Sequence, residues 1–266
     1  MKSLKISKQD IKASFSKAAG TYDAHAHIQQ VANELLLKKL PQMPFKTILE
    51  LGCGTGGLTR KLHERIKPEW IVAVDIAPNM LLMAQRGFKG LREVEFICCD
   101  AENLPIGADQ RFDLIVSAST MQWFSHFGQS IEKIATNHLQ KGGFFHASLF
   151  GGNSLGELSK ALSLAFPERD TTMPPAIFPD PLRKFEVLTS IFSDLYIGKR
   201  LIQRQYKDIL ELLRILKMTG VSPRKSRRPA LLSSPRGLER LQRCYLEQFG
   251  AIRASFEIIL MSGKRK

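Results

Sequence analysis

Nowhere do apolar side chains run for the roughly 20 residues that a bilayer-spanning helix needs, so no membrane span is expected. Cysteine is scarce. Cys53, Cys98, Cys99 and Cys244 form no C-x-x-C pair, and their spacing fits neither a disulfide framework nor a metal site. No metal is therefore expected, and a reducing cytoplasm is the expected location. The first ten residues are polar and basic with no apolar run behind them, which speaks against a signal peptide. There is no internal repeat and no low-complexity tract. Acidic residues are also in short supply, 25 Asp+Glu against 39 Lys+Arg. The deficit is local: residues 199–243 hold 13 basic against 3 acidic side chains. Such a field draws acidic partners, whether nucleic acid, an anionic membrane surface or an acidic carrier protein, unless it is only a solubility face.

What is present is an ordinary globular composition, 44% hydrophobic over 266 residues, which suits one α/β domain with an added lid or insertion. Apolar positions at three- and four-residue spacing predict helix over 9–40, interrupted at Gly20 and Thr21 into two helices. Strands are predicted at 47–51, 70–74, 94–98, 112–117 and 144–149, with helices at 57–66, 78–86 and 127–139 between them. That alternation implies a parallel sheet with helices on both faces. Further helices are predicted near 153–166, 181–192, 207–218 and 235–248, and further strands at 195–202 and 256–261. Residues 167–180 are Pro-rich and read as a loop, and 220–235 read as a basic loop. The expected organisation is a helical lid (1–44), a core (45–150), a helical and Pro-rich insertion (151–194) and a C-terminal part with a basic face (195–266). Cys98 and Cys99 read as buried strand residues, and His126 as a surface or helix-start residue.

Chemistry concentrates around Glu50-Leu-Gly52-Cys53-Gly54-Thr-Gly56-Gly57. These glycines follow a predicted strand and precede a predicted helix, where backbone N–H groups can approach a ligand with no Cβ in the way. Asp75 ends the second strand, where a carboxylate can accept from both ribose hydroxyls of a nucleoside. Asp100 and Ala101 end the third. Then come Phe112-Asp-Leu-Ile-Val-Ser117 and Leu139-Gln-Lys-Gly-Gly143-Phe. In this order the five signals resemble the motifs of class I S-adenosylmethionine-dependent methyltransferases. The resemblance implies a Rossmann-like α/β fold with a seven-stranded, mostly parallel sheet and S-adenosylmethionine as cofactor. It implies that Gly52, Gly54 and Gly56 line the methionine portion, that Asp75 holds the ribose, and that Glu50, Cys53 and Ser117 also belong to the cofactor site. Ile76 and Met80 would flank the adenine, whose edge Asp100 and Ala101 would read. The plainer alternative is glycines that serve a tight turn and aspartates that cap helices.

Three further runs narrow the kind of methyltransferase. Phe15-Ser-Lys-Ala-Ala19-Gly-Thr-Tyr22-Asp-Ala-His25-Ala, the pair Gln122-Trp123, and Leu216-Lys217-Met218-Thr219-Gly220 resemble the malonyl-acyl carrier protein O-methyltransferases of biotin synthesis. Ser148-Leu-Phe150 followed by Gly152 and Glu157-Leu158 fits the same pattern. The likeness runs from Phe15 to about Gly220. It implies an acceptor carboxylate that is already an anion at neutral pH and needs no strong base. Tyr22 would close over the cofactor and donate its hydroxyl. Gln122 and Trp123 would shape the acceptor pocket, and Arg214 or Lys217 would hold the carboxylate. The basic residues Arg224, Lys225, Arg227, Arg228, Arg236, Arg240 and Arg243 would dock an acidic acyl carrier protein, and the enzyme would act as a monomer. Relatives with the same Gln-Trp pair methylate small acids such as aconitate, so a free carboxylic acid or a quinone precursor is the alternative acceptor. A nucleic-acid substrate is disfavoured, because Ser117-Ala-Ser-Thr-Met-Gln122 replaces the N/D-P-P-Y/F motif of adenine enzymes.

Overall fold

The computed structural model describes residues 6–107, 109–221 and 234–266. Three helices open the chain, α1 (Lys8–Ala18), α2 (Tyr22–His25) and α3 (His27–Lys39). The interruption at Gly20 and Thr21 thus leaves a separate single turn, α2, where two helices were expected. Strands and helices then alternate: β1 (Thr47–Leu51), α4 (Gly57–Ile66), β2 (Trp70–Asp75), α5 (Pro78–Gly87), β3 (Val94–Cys98), β4 (Phe112–Ala118), α6 (Phe127–His138) and β5 (Leu139–Phe150). The second half contains α7 (Gly156–Ala165), α8 (Phe185–Ile191), β6 (Phe192–Gln205), α9 (Ile209–Met218), α10 (Pro235–Phe249) and β7 (Arg253–Arg265). The predicted loop 167–180 contains a 3-10 turn, Pro174–Ile177.

The strands form one seven-stranded sheet in the order β3-β2-β1-β4-β5-β7-β6. β1 to β5 are parallel, and β7 runs antiparallel to both β5 and β6. Period-two alternation sorts their side chains between two faces. Ile48, Ile71, Ala73, Leu114 and Val116 pack on one face with Leu36, Leu62, Leu158 and Leu241. Leu49, Leu51, Val72, Val74 and Ile115 pack on the other with Ile131, Ile134 and Leu188. Leu62 is fully buried, so truncation to Ala there costs about 2–5 kcal/mol.

Two expectations shift for local reasons. α6 stops at His138, and β5 begins at once with Leu139. Its Lys141-Gly142-Gly143 turn lies inside the strand, where the register slips between Phe112 and Leu114 and Gly142 has φ +74°. Cys98 is exposed and Cys99 only half-buried, because β3 is an edge strand with one neighbour.

Candidate active site

Strand order reverses between β1 and β4, and in open α/β sheets a ligand crevice forms at that point beyond the strands' carboxyl ends. The glycine turn leaves β1 there, and Ser119 and Thr120 leave β4 opposite. Gly52, Gly54 and Gly56 all have positive φ (+77°, +57° and +86°). A Cβ on Gly52 would collide with the Thr120 side chain, whereas one on Gly54 would meet nothing within 4 Å. The turn therefore packs at Gly52 and faces open space at Gly54.

Asp75 fixes this turn from β2. Its Oδ2 accepts from Gly54 N (2.9 Å) and its Oδ1 from Ala77 N (2.8 Å). Burial lifts its carboxyl to about 6, against the pull of the Ala77, Gly54 and Ile76 N–H groups. A carboxylate has about four lone-pair sites, so two bonds leave capacity for a ligand diol. Asp100 lies one strand further out. Its Oδ1 takes both Lys8 Nζ (3.1 Å) and Glu102 N (3.1 Å), leaving Oδ2 without a protein partner among the described residues. Asp75, Ile76, Met80, Asp100, Ala101, Gly52 and Gly54 line one cavity of about 640 Å³. Glu50, Cys53 and Gly56 line the adjoining cleft of about 1160 Å³, which shares Tyr22, Gly52, Gly54, Ala118 and Ser119 with it. Met80 also packs with Ala18, Ala19 and Ala77 in a small core, so it serves helix packing and the cavity wall together. Burial, partly offset by Thr59 and reinforced by Asp75, lifts Glu50 to about 7.

The N-terminal helices roof this crevice. Ile11, Phe15 and Tyr22 line the first cavity. Phe15 meets Trp123 edge-on at 6.1 Å. Thr55 Oγ1 donates to Asp23 Oδ1 (2.5 Å), joining α2 to the glycine turn. Lys8 bridges to Glu102 Oε2 (2.5 Å) as well as to Asp100. Burial raises Glu102, but Lys8, Ser125 N–H and the Ser130 hydroxyl outweigh it and bring the carboxyl to about 2. Glu102 thus ties the roof to the N-terminus of α6, where a carboxylate also complements the helix dipole. Burial, then the charges of Asp75 and Asp23, pushes the Tyr22 phenol far above its usual range. It stays protonated at neutral pH.

Other expected residues stand elsewhere. Ser117 is fully buried and lines none of these cavities, because its hydroxyl donates to Leu51 O (2.9 Å) between β4 and β1. Gln122 is buried behind the wall: its Nε2 donates to Ser119 O (2.8 Å) and braces a residue whose φ is +54°. Trp123 does line the cavity, and its Nε1 is buried with no partner. Arg214 and Lys217 are exposed on α9 and border neither of these cavities; their neighbours Ile215, Leu216 and Thr219 face an apolar cleft instead. The 216–220 run meets the N-terminal run directly. Ser14 Oγ donates to Gly220 O (3.1 Å), Thr21 Oγ1 donates to Met218 O (3.2 Å), and Phe15 packs where a Cβ on Gly220 would stand. Those segments dock the roof. Arg224, Lys225, Arg227 and Arg228 lie outside the described residues, whereas Arg236, Arg240 and Arg243 are exposed on α10. His126 is the exposed N-cap position of α6.

Lys8, Ser119, Thr120 and Phe124 also line the cavity and were not singled out from sequence. The crevice rule would have found Ser119 and Thr120 at the end of β4; no sequence signal marks Lys8. The described residues fit a nucleoside with a charged amino-acid tail. Backbone is open at Gly54, Ser119 Oγ and Glu50 Oε2 are buried without partners, and two carboxylates end adjacent strands.

Comparison with known proteins agrees. A methyltransferase-domain family profile matches residues 48–143. The malonyl-acyl carrier protein O-methyltransferase of Bacteroides thetaiotaomicron is 30% identical over 221 residues, covering 82% of this chain and 79% of that protein. The protein of the same name from Acetivibrio thermocellus is 29% identical, covering 98% of this chain and 95% of its own length. Among solved structures, the YcgJ protein of Bacillus subtilis superposes with a TM-score of 0.61 at 16% identity, covering 89% of this chain and 99% of that one. The chain belongs to the malonyl-acyl carrier protein O-methyltransferases, S-adenosylmethionine-dependent enzymes of the class I methyltransferase fold.

Proposed function

We propose that this chain methylates the free carboxylate of a malonyl thioester on acyl carrier protein, an early step of biotin (pimeloyl) synthesis. When bound, S-adenosylmethionine supplies an electrophilic methyl group on a sulfonium, open to direct displacement by an anionic oxygen. Asp75 would hold the ribose hydroxyls with its remaining lone pairs. Asp100 Oδ2 and Ala101 would read the adenine edge, with Ile76 and Met80 against its faces. Gly52 and Gly54 would let the amino-acid end lie against backbone. Tyr22, protonated and set in the roof, would donate to a ligand oxygen and exclude water. Gln122 would act as a positioning residue through Ser119, and Trp123 would give the acceptor an apolar wall.

The observation that carries the reading is the kind of group the crevice offers. Among the described residues neither cofactor-end cavity is lined by a histidine, the phenol there keeps its proton, Asp75 is engaged by Gly54 N and Ala77 N, and Glu50 is buried beneath the glycine turn. An amine or phenol acceptor needs a base to remove its proton, whereas a carboxylate does not. Positioning then does most of the work. Arg236, Arg240 and Arg243 are spaced to share one exposed face of α10, and no described carboxylate pairs with them. That face suits an acidic carrier.

Intact-mass measurement tests the chemistry. Malonyl-carrier protein incubated with enzyme and S-adenosylmethionine should gain one methyl group, and acetyl-carrier protein, which lacks the free carboxylate, should gain none. Equal methylation of both, or of neither, contradicts the proposal.

A further inference from the structure

The β6–β7 ribbon overhangs the edge of the sheet on which the crevice lies. Phe150, the last residue of β5, pairs with Ile258, while β7 begins at Arg253 and stays paired with β6 as far as Gln205. At about 3.3 Å per residue the ribbon therefore projects roughly 17 Å past the carboxyl end of β5. An apolar cleft of about 450 Å³ lies under it, walled by Ile28 of α3, Leu216 of α9, Phe178 and Phe256. It adjoins the cofactor crevice at two points. Gln29 borders both, and Phe178 meets Trp123 edge-on at 5.1 Å.

Polar groups interrupt its apolar lining: His25 and Gln29 on the roof side, Ser154 and Thr219, which bond within the fold, and the pair Arg204 and Tyr206. Arg204, near the end of β6, is half-buried. Its guanidinium makes no ion pair or hydrogen bond with the described residues and lies 5.7 Å from the centre of the Tyr206 ring. Tyr206 is 4% exposed, and its Oη is buried with no partner. Glu211, whose charge reaches Tyr206, is already engaged by Lys207 N–H (2.6 Å) at the start of α9. A buried hydroxyl without a partner is destabilising, as is a half-buried cation with no counter-charge. A ligand oxyanion would satisfy both, and the rest of the cleft would take an uncharged chain.

We propose that this cleft is the acceptor subsite, in which Arg204 and the Tyr206 hydroxyl hold an oxyanion of the acyl-thioester substrate beside its apolar portion. The inference rests on the acceptor reading above, and it gives to Arg204 the anion-holding role that the sequence suggested for Arg214 or Lys217. The oxyanion has two sources, the acid's own carboxylate or the phosphate of the carrier's arm.

Steady-state kinetics on Arg204→Met and Tyr206→Phe test this, using malonyl-carrier protein and malonyl-pantetheine, which has no phosphate. S-adenosylhomocysteine affinity and Tm serve as controls for folding. Loss of a charge-assisted bond should raise KM about 10- to 100-fold in R204M with kcat little changed, and Y206F should raise it about 3- to 10-fold. A rise with both acceptors assigns the oxyanion to the carboxylate, and a rise with the carrier alone assigns it to the phosphate. If wild type turns over both acceptors and neither variant moves KM, the subsite is wrong and the acceptor reading stands. If wild type binds S-adenosylhomocysteine but methylates no malonyl thioester, the acceptor reading falls and the subsite with it.

Discussion

Replacing Asp75 by Asn separates its two roles, bracing the glycine turn and holding the cofactor. Asn keeps the shape and one acceptor oxygen, but it turns the other oxygen into an NH2 that faces Gly54 N or Ala77 N. One buried donor left unpaired costs about 1–3 kcal/mol. Against that, the wild-type carboxyl is lifted from an ordinary 3.8 to about 6, so carrying its charge at neutral pH costs roughly 3 kcal/mol. The two effects are similar in size and opposite in sign, so Tm at pH 7 should change little. Affinity should not be spared. Charged acceptors bound to a ribose diol contribute about 1.5–3 kcal/mol, which corresponds to a roughly 10- to 100-fold weaker Kd for S-adenosylhomocysteine in D75N. Calorimetric titration measures this directly. A second signature lies in pH. A carboxyl raised in the fold keeps its proton where the unfolded chain has lost it. Its contribution to stability therefore falls as pH rises from about 4 to about 6 and then levels off. D75N should remove that fall. A Kd within about threefold of wild type, with a clear drop in Tm, would refute the reasoning and leave Asp75 a brace for the turn alone.

The two glycines should part company. Gly52→Ala should lower Tm, because its Cβ meets Thr120. Gly54→Ala, which meets nothing, should add only the strain of a positive φ, about 1 kcal/mol, and chiefly weaken S-adenosylhomocysteine binding. Lys8→Met removes the bridges to Asp100 and Glu102. Because Lys8 is partly exposed, a few-fold loss of cofactor affinity is expected, shrinking at high salt, with faster proteolysis of the N-terminal helices. Gln122→Ala frees the carbonyl of Ser119, which lines both cofactor-end cavities, and the expected outcome is lower kcat with a few-fold weaker S-adenosylhomocysteine affinity. Arg214→Ala and Lys217→Ala should leave KM for the acceptor unchanged, since both side chains point into solvent.

The glycine turn and the strand-end carboxylates were legible because backbone demands set those residues. Gly52, Gly54 and Gly56 take conformations that glycine adopts freely, and Asp75, paired with Cys98, and Asp100, two residues further on, leave the same end of adjacent parallel strands. The parallel direction of those strands follows from alternation with helices, whereas their order, β3-β2-β1-β4-β5, is set by the fold. The roof was legible only in part. Periodicity located α1 and α3, but what holds Ser14 of α1 and Thr21 before the single turn α2 is bonding to the end of α9, about 200 residues away in sequence. Ser117 and Gln122 turn to the backbone behind the crevice, and a polar residue at a strand end can face either way, so spacing alone does not say which. Arg204 does not stand out in the sequence, because it sits in what reads as an ordinary basic strand end. Its distinction, a cation with no ion pair or hydrogen bond among the described residues beside a buried Tyr206, exists only once β6 and β7 pair beyond β5.

A single competition experiment tests the central claim most directly. Malonyl-carrier protein and trans-aconitate at equal concentration share labelled S-adenosylmethionine and one enzyme sample, at low and at high salt. The label is expected on the carrier-bound malonyl group at low salt, with its rate falling as salt screens Arg236, Arg240 and Arg243 on α10. Label on aconitate alone, at either salt, would contradict the malonyl-carrier assignment.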